Sequence, residues 1–183
     1  MIVEETTLKG VLILKPRVFK DSRGFFLESF NKKAFESATG LKKVNFVQDN
    51  HSRSEKSVLR GLHFQIKHCQ SKLVRVTKGE IFDVVVDIRD GSDTFGESFS
   101  LILSEENKYQ LWIPVGFAHG FQVKSDFSDV LYKTTDYWHE EHEQVLSWDD
   151  PDLGIDWPID HPKVSERDNE GKLLSELEKM EFK

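Results

Sequence analysis

His63 stands in the run Leu59-Arg60-Gly61-Leu62-His63-Phe64-Gln65, and Lys72 and His119 stand in similarly short, largely apolar segments further along. Side chains so costly to desolvate are placed in such segments when they are paired or used. Together they are tools for proton transfer beside an anion. An imidazole takes a proton near neutrality, an ammonium holds negative charge as it develops, and a guanidinium grips a phosphate or carboxylate. A strand histidine alone is more commonly a packed residue bonded to a carbonyl. The company of His63 argues otherwise: Gly61 leaves space beside it, and Arg60 and Lys72 lie close in sequence on what should be adjacent strands. Strict alternation sends Arg60 and His63 to opposite faces. A shared site therefore requires a bulge at Gly61.

Other polar residues read more weakly. Tyr132, in Leu131-Tyr132-Lys133, would by itself be a packing residue with a wet hydroxyl. Arg23 in Asp21-Ser22-Arg23-Gly24 and the stretch Gln48-Asp49-Asn50-His51 would singly be turn chemistry. His51, His139, His142 and His161 lie in charged or loop surroundings and are expected to be solvated, and His68 falls in a loop.

The elements that must carry these side chains are short. Runs rich in Val, Ile, Phe and Tyr recur between Gly and Pro, which is the punctuation of an all-β sandwich or barrel. Strands are predicted near 11–15, 25–30, 44–49, 57–65, 72–78, 80–88, 97–103, 110–113, 118–123 and 129–137. Helices are predicted from Asn31 to Gly40, with an Asn cap and a terminal Gly, and from Lys172 to Met180, where leucines recur at helical spacing. Lys78-Gly79-Glu80 reads as a tight hairpin, and the stretch from Trp148 to Asp168 as an ordered loop packed on the sheet by Trp148 and Trp157.

The 183 residues fit one domain, 1–183. A single cysteine, Cys69, excludes an internal disulfide, nothing resembles a signal peptide, and a cytoplasmic setting is expected. No apolar run approaches the ~18 residues of a membrane span. A net charge of −7 argues against a non-specific nucleic-acid surface. It leaves room for a small anionic substrate, because a few converging cations outweigh distant, screened charge.

Pro114-x-Gly116-x-x-His119 has the form of the second cupin motif. The first cupin motif would supply a His-x-His pair, whereas His63 is followed by Phe64 and Gln65, so a three-histidine metal centre is not expected. More specific is the ordered set Arg23-Gly24, Gln48-Asp49-Asn50, Arg60-Gly-Leu-His63-Phe-Gln, Lys72-Leu-Val, Phe95-Gly96, Ile113-Pro-x-Gly-Phe-Ala-His119-Gly-Phe, Tyr132-Lys, Trp148-Asp-Asp-Pro, Gly154-Ile-Asp-Trp-Pro and Ser165-x-x-Asp168. From Val11 to Asp168 the chain closely resembles the dTDP-4-dehydrorhamnose 3,5-epimerases.

The resemblance implies a mainly β, cupin-like double-stranded β-helix, or jelly roll, with an N-terminal strand exchanged in a homodimer; the leucine spacing after Lys172 adds a helical C-terminal tail. It implies conversion of dTDP-4-dehydro-6-deoxy-D-glucose to dTDP-4-dehydro-L-rhamnose without metal or redox cofactor. By the same resemblance His63 is the base, Asp168 its partner, Lys72 the cation facing the C4 oxygen and Tyr132 the opposite acid. Arg60 and His119 would contact diphosphate and sugar. Arg23, Glu28, Gln48 and Asn50 match nucleotide-contacting positions, and Glu143 and Arg167 further substrate contacts. Trp138 stands where an aromatic, commonly Tyr, stacks on the base. The residues alone leave three other readings open: inversion at C3 or C5 only, a 3,4-ketoisomerase, and a non-catalytic sugar-binding module.

Overall fold

A computed structural model describes residues 1–178 and 182. Two sheets face each other. The first has the order β1-β2-β10-β7-β12-β5 and is built from β1 (Ile2–Glu5), β2 (Leu12–Lys15), β5 (Gln48–Glu55), β7 (Lys72–Lys78), β10 (Gln110–Ile113) and β12 (Phe127–Thr134). The second has the order β13-β6-β11-β8-β9, from β6 (Leu59–Gln65), β8 (Glu80–Asp87), β9 (Ser98–Ser104), β11 (Phe117–Val123) and β13 (Glu143–Val145). Within these, β5-β12-β7-β10 and β6-β11-β8-β9 are the two halves of a jelly roll, all neighbours antiparallel. The fold is mainly β, as expected.

Period-two alternation sends Val74, Val76, Val85, Leu111, Ile113, Phe121 and Val130 between the sheets, where they are buried together. Burying both faces of each sheet needs outer covers. One is α1 (Lys32–Thr39), which lays Phe35 on Leu14, Leu73 and Trp112. It starts where the Asn31 side chain accepts the Ala34 N–H and stops at Gly40 in the left-handed conformation, as the cap residues predict. The other cover is the C-terminal stretch: Leu146, Leu153, Trp157 and Leu174 pack on Leu62, Phe64, Val84 and Val86. Trp157 meets Phe82 edge-on at 5.8 Å and donates to the Trp148 carbonyl at 2.8 Å.

Several expected elements differ. β5 begins at Gln48, not 44, because Val44 and Phe46 leave the sheet to pack around Phe35. The run near 25–30 supplies only the end of a small hairpin, β3 (Phe19–Asp21) with β4 (Gly24–Phe26), whose residues are all exposed. In place of a helix from Lys172, a single 3-10 turn covers Leu174–Glu176, since Leu174 and Leu177 dock on the sheet as an irregular strap while Leu173 is exposed; Met180 lies outside the described residues. A short helix, α2 (Glu166–Asn169), is capped by Ser165, whose hydroxyl accepts the Asp168 N–H at 3.1 Å.

Candidate active site

The strand pairing contains the bulge that a shared site requires. His119 opposes His63 and Phe121 opposes Arg60, so Gly61 and Leu62 together face Gly120 alone. Gly61 holds φ at +112°, and a Cβ there would lie 2.6 Å from both the His119 carbonyl oxygen and the Gly120 Cα. Only glycine fits. The extra residue turns Leu62 outward into the apolar layer and leaves Arg60 and His63 in one cavity.

That cavity has a volume of about 110 Å³ and is lined by Ser52, Arg60, His63, Lys72, His119, Gly120, Phe121 and Tyr132. Sites that engulf a whole drug-sized ligand run to roughly 300 Å³ or more. This one holds only a small molecule or one part of a larger one.

His63 Nε2 is 2.7 Å from Asp168 Oδ1, and Asp168 Oδ2 accepts the Gly61 N–H at 3.1 Å. The carboxylate thus holds both the imidazole and the bulge that aims it. Burial would raise the Asp168 pKa, but the His63 bond and charge and the Gly61 N–H outweigh it, and the value falls below the usual carboxylate range. Asp168 stays ionised and can stabilise an imidazolium.

Lys72 donates to the His63 carbonyl at 3.4 Å. Burial lowers its pKa to about 8 against the charges of Glu143 and Asp83, which act to raise it. Tyr132 faces His63 from the opposite sheet. Burial raises its pKa, the Glu143 charge adds to this and Arg60 opposes it, so the phenol keeps its proton at neutral pH. His119 is buried, with Nε2 3.0 Å from Asp83 Oδ2, and Arg60 Nε donates to Ser54 Oγ at 2.9 Å.

The remaining expected residues are distributed unequally. Asn50 pairs with Tyr132 across β5 and β12, and Gln48 donates to Asn50 at 2.9 Å, so both lie near Tyr132. Glu143 and Arg167 pair with each other at 2.5 Å. Arg23 rides on the exposed β3–β4 hairpin, bonded to Asp21, and Glu28 lines a separate cavity with Met1, Arg17 and Phe19. Neither lines the His63 cavity of its own chain. Trp138 is 48% exposed and absent from the cavity lining; its backbone N–H donates to Gln48, and no ring contact with His63 is formed among the described residues.

Two bonding partners, Asp83 and Ser54, and one lining residue, Ser52, were not singled out from the sequence. Asp83 is fully buried and bonds His119; its one signal was an acidic residue inside the apolar run Ile81-Phe82-Asp83-Val84-Val85-Val86. Ser54 and Ser52 lie on a strand whose polar alternation resembles a loop, and the buried Ser52 hydroxyl has no partner among the described residues.

Comparison with known proteins gives a consistent picture. The family model described as dTDP-4-dehydrorhamnose 3,5-epimerase matches residues 5–176. The dTDP-4-dehydrorhamnose 3,5-epimerase of Pseudomonas aeruginosa is 57% identical over 172 residues, covering 93% of this chain and 94% of that protein. The Legionella pneumophila dTDP-6-deoxy-D-glucose-3,5-epimerase, solved with dTDP-4-keto-L-rhamnose, superposes with a TM-score of 0.93 at 50% identity, covering 96% of this chain and 94% of that one. A variant of a 3'-monoepimerase from Streptomyces bikiniensis, solved with dTDP, superposes at 0.88 with 29% identity, covering 93% and 86%.

Proposed function

Because the chain belongs to the dTDP-4-dehydrorhamnose 3,5-epimerase family, we propose a division of labour within its cavity for that family's reaction. The enzyme is an isomerase that converts dTDP-4-dehydro-6-deoxy-D-glucose to dTDP-4-dehydro-L-rhamnose. The C4 ketone acidifies the hydrogens on its two neighbours, C3 and C5, and each centre inverts when its proton leaves from one face and another returns from the other.

His63 takes the proton, and the Asp168 carboxylate holds the tautomer and stabilises the cation that results. Lys72 meets the C4 oxygen. Its ammonium interacts most strongly once that oxygen carries enolate charge, so it lowers the barrier more than it tightens binding. Tyr132 returns a proton from the other side. The observation that carries the assignment is the placement of the His63–Asp168 pair on one sheet and the protonated Tyr132 on the facing sheet, across a cavity that also holds Lys72.

Arg60 and His119 contact the diphosphate and sugar, and Gln48 and Asn50 the nucleotide. Arg23 and Glu28 serve the nucleotide of a second copy in a homodimer. Support for this comes from the β3–β4 hairpin, whose residues are all exposed, Phe25 and Phe26 among them. Glu143 and Arg167 act as a braced pair beside the dyad. We place the enzyme in the cytoplasm.

Turnover in heavy water tests the reading. Product carrying deuterium at both C3 and C5 is expected; uptake at one position alone would reduce the enzyme to a single-centre epimerase, and a ketone found at C3 would make it a ketoisomerase.

A further inference from the structure

Apart from the cavity, the fold gathers a second set of chemistry-bearing side chains. His68 lies in the loop between β6 and β7, and Asp136, His139 and His142 in the connection from β12 to β13. The His68 and His139 rings stack at 4.2 Å, and the His142 ring lies 5.8 Å from that of His68.

We propose that His68, Asp136 and His139 form a binding site for a divalent transition-metal ion, with water completing the coordination. One donor atom from each lies within 4.8 Å of the other two. His68 Nδ1 and Asp136 Oδ2 are 3.5 Å apart, close to the roughly 3.3 Å that separates neighbouring ligands of tetrahedral zinc. The side chains are partly exposed, so small rotations can close the rest. Two imidazoles and one carboxylate suit Zn²⁺, Co²⁺ or Ni²⁺ and are poor donors for Mg²⁺.

The backbone beneath is braced. Gln65 is buried, and its side-chain amide donates to the carbonyls of His68 at 2.6 Å and Tyr137 at 3.2 Å and accepts the His139 N–H at 2.8 Å. Gln70 donates to the Asp136 carbonyl at 2.8 Å. One buried amide thus registers both loops. His68 itself holds φ at +52°, an uncommon conformation for any residue but glycine, which aims its ring at the opposite loop. A bound ion would clasp the segment leading to Lys72 against the one leading to Glu143.

The test uses full-length protein without an affinity tag, stripped with chelator and titrated with Zn²⁺ and Co²⁺ by calorimetry. One equivalent per chain is expected, with a raised melting temperature. His68→Asn, His139→Ala and Asp136→Asn should each weaken binding at least about tenfold and abolish the thermal shift. The bracing bonds run through backbone atoms, and asparagine tolerates the left-handed conformation, so the metal-free variants should melt near the wild type. Asp136→Asn preserves size and keeps the proposal testable should a histidine variant fail to fold. His161→Ala should bind as wild type does. Binding unchanged in Asp136→Asn and either folded histidine variant, binding lost instead in His63→Ala, or an equal response to Mg²⁺ would overturn the proposal.

Discussion

At the residue scale, the dyad has separable halves. His63→Ala removes the base and should lower kcat by about 10²–10⁴-fold and suppress deuterium uptake. Asp168→Asn retains size but loses the charge that faces the imidazole, so kcat should fall with KM little changed; steady-state kinetics on both variants distinguishes chemistry from binding. An Asp168→Asn enzyme with normal turnover would remove the carboxylate from the mechanism. Lys72 adds a pH signature. It must be charged to meet an enolate and titrates near 8, so kcat should decline as pH rises through that value. Stability should move the other way. The unfolded chain keeps this proton up to 10.5 and the folded chain releases it near 8, so denaturation midpoints should rise across that window, by roughly 3 kcal/mol when complete. Arg60, His63, Lys72 and His119 were legible from their types because each is an expensive residue in an apolar run. Tyr132 and Asp168 were not, since an isolated strand tyrosine or tail aspartate has an ordinary explanation, and only family resemblance singled them out. Trp138 shows the limit of such carry-over: an aromatic at the expected position lies outside the cavity in this chain.

At the element scale, the central strands β8, β10 and β11 were readable because both of their faces are buried. The edge strands β5 and β13 were not. β5 reads Gln-Asp-Asn-His-Ser-Arg-Ser-Glu, with one buried residue in eight, and takes its extended form from its full ladder with β12. The three-residue β13 is likewise specified by β6 and not by its own composition. The bulge, by contrast, followed from chemistry: two functional groups of the wrong parity needed one extra residue between them. Gly61→Ala tests its importance. The new methyl would meet backbone on β11 at 2.6 Å in a conformation that disfavours it, and chemical denaturation should show a loss of about 3 kcal/mol or more. Activity should fall further than the population of folded protein accounts for, because the shift reaches both Arg60 and His63.

At the scale of the whole molecule, the acidic surface and the cationic cavity coexist because local geometry decides what binds. The exposed β3–β4 hairpin is where the proposed homodimer can be tested. Paired Phe25→Asp and Phe26→Asp substitutions should convert a dimer to monomers in sedimentation and raise KM while sparing the fold; a monomeric wild type would return Arg23 and Glu28 to surface roles. The tail, finally, has a bearing on synthesis. His63 is bonded to a residue 105 positions later in the chain, and β6 is pinned at its start by the Lys163 carbonyl and near its middle by Leu146. A growing polypeptide can therefore complete every jelly-roll strand on the ribosome and still have an unaimed base. On the proposed mechanism the His63–Asp168 pair is complete only after α2 has emerged and docked, so chains ending before it should turn over no faster than Asp168→Asn even where they fold.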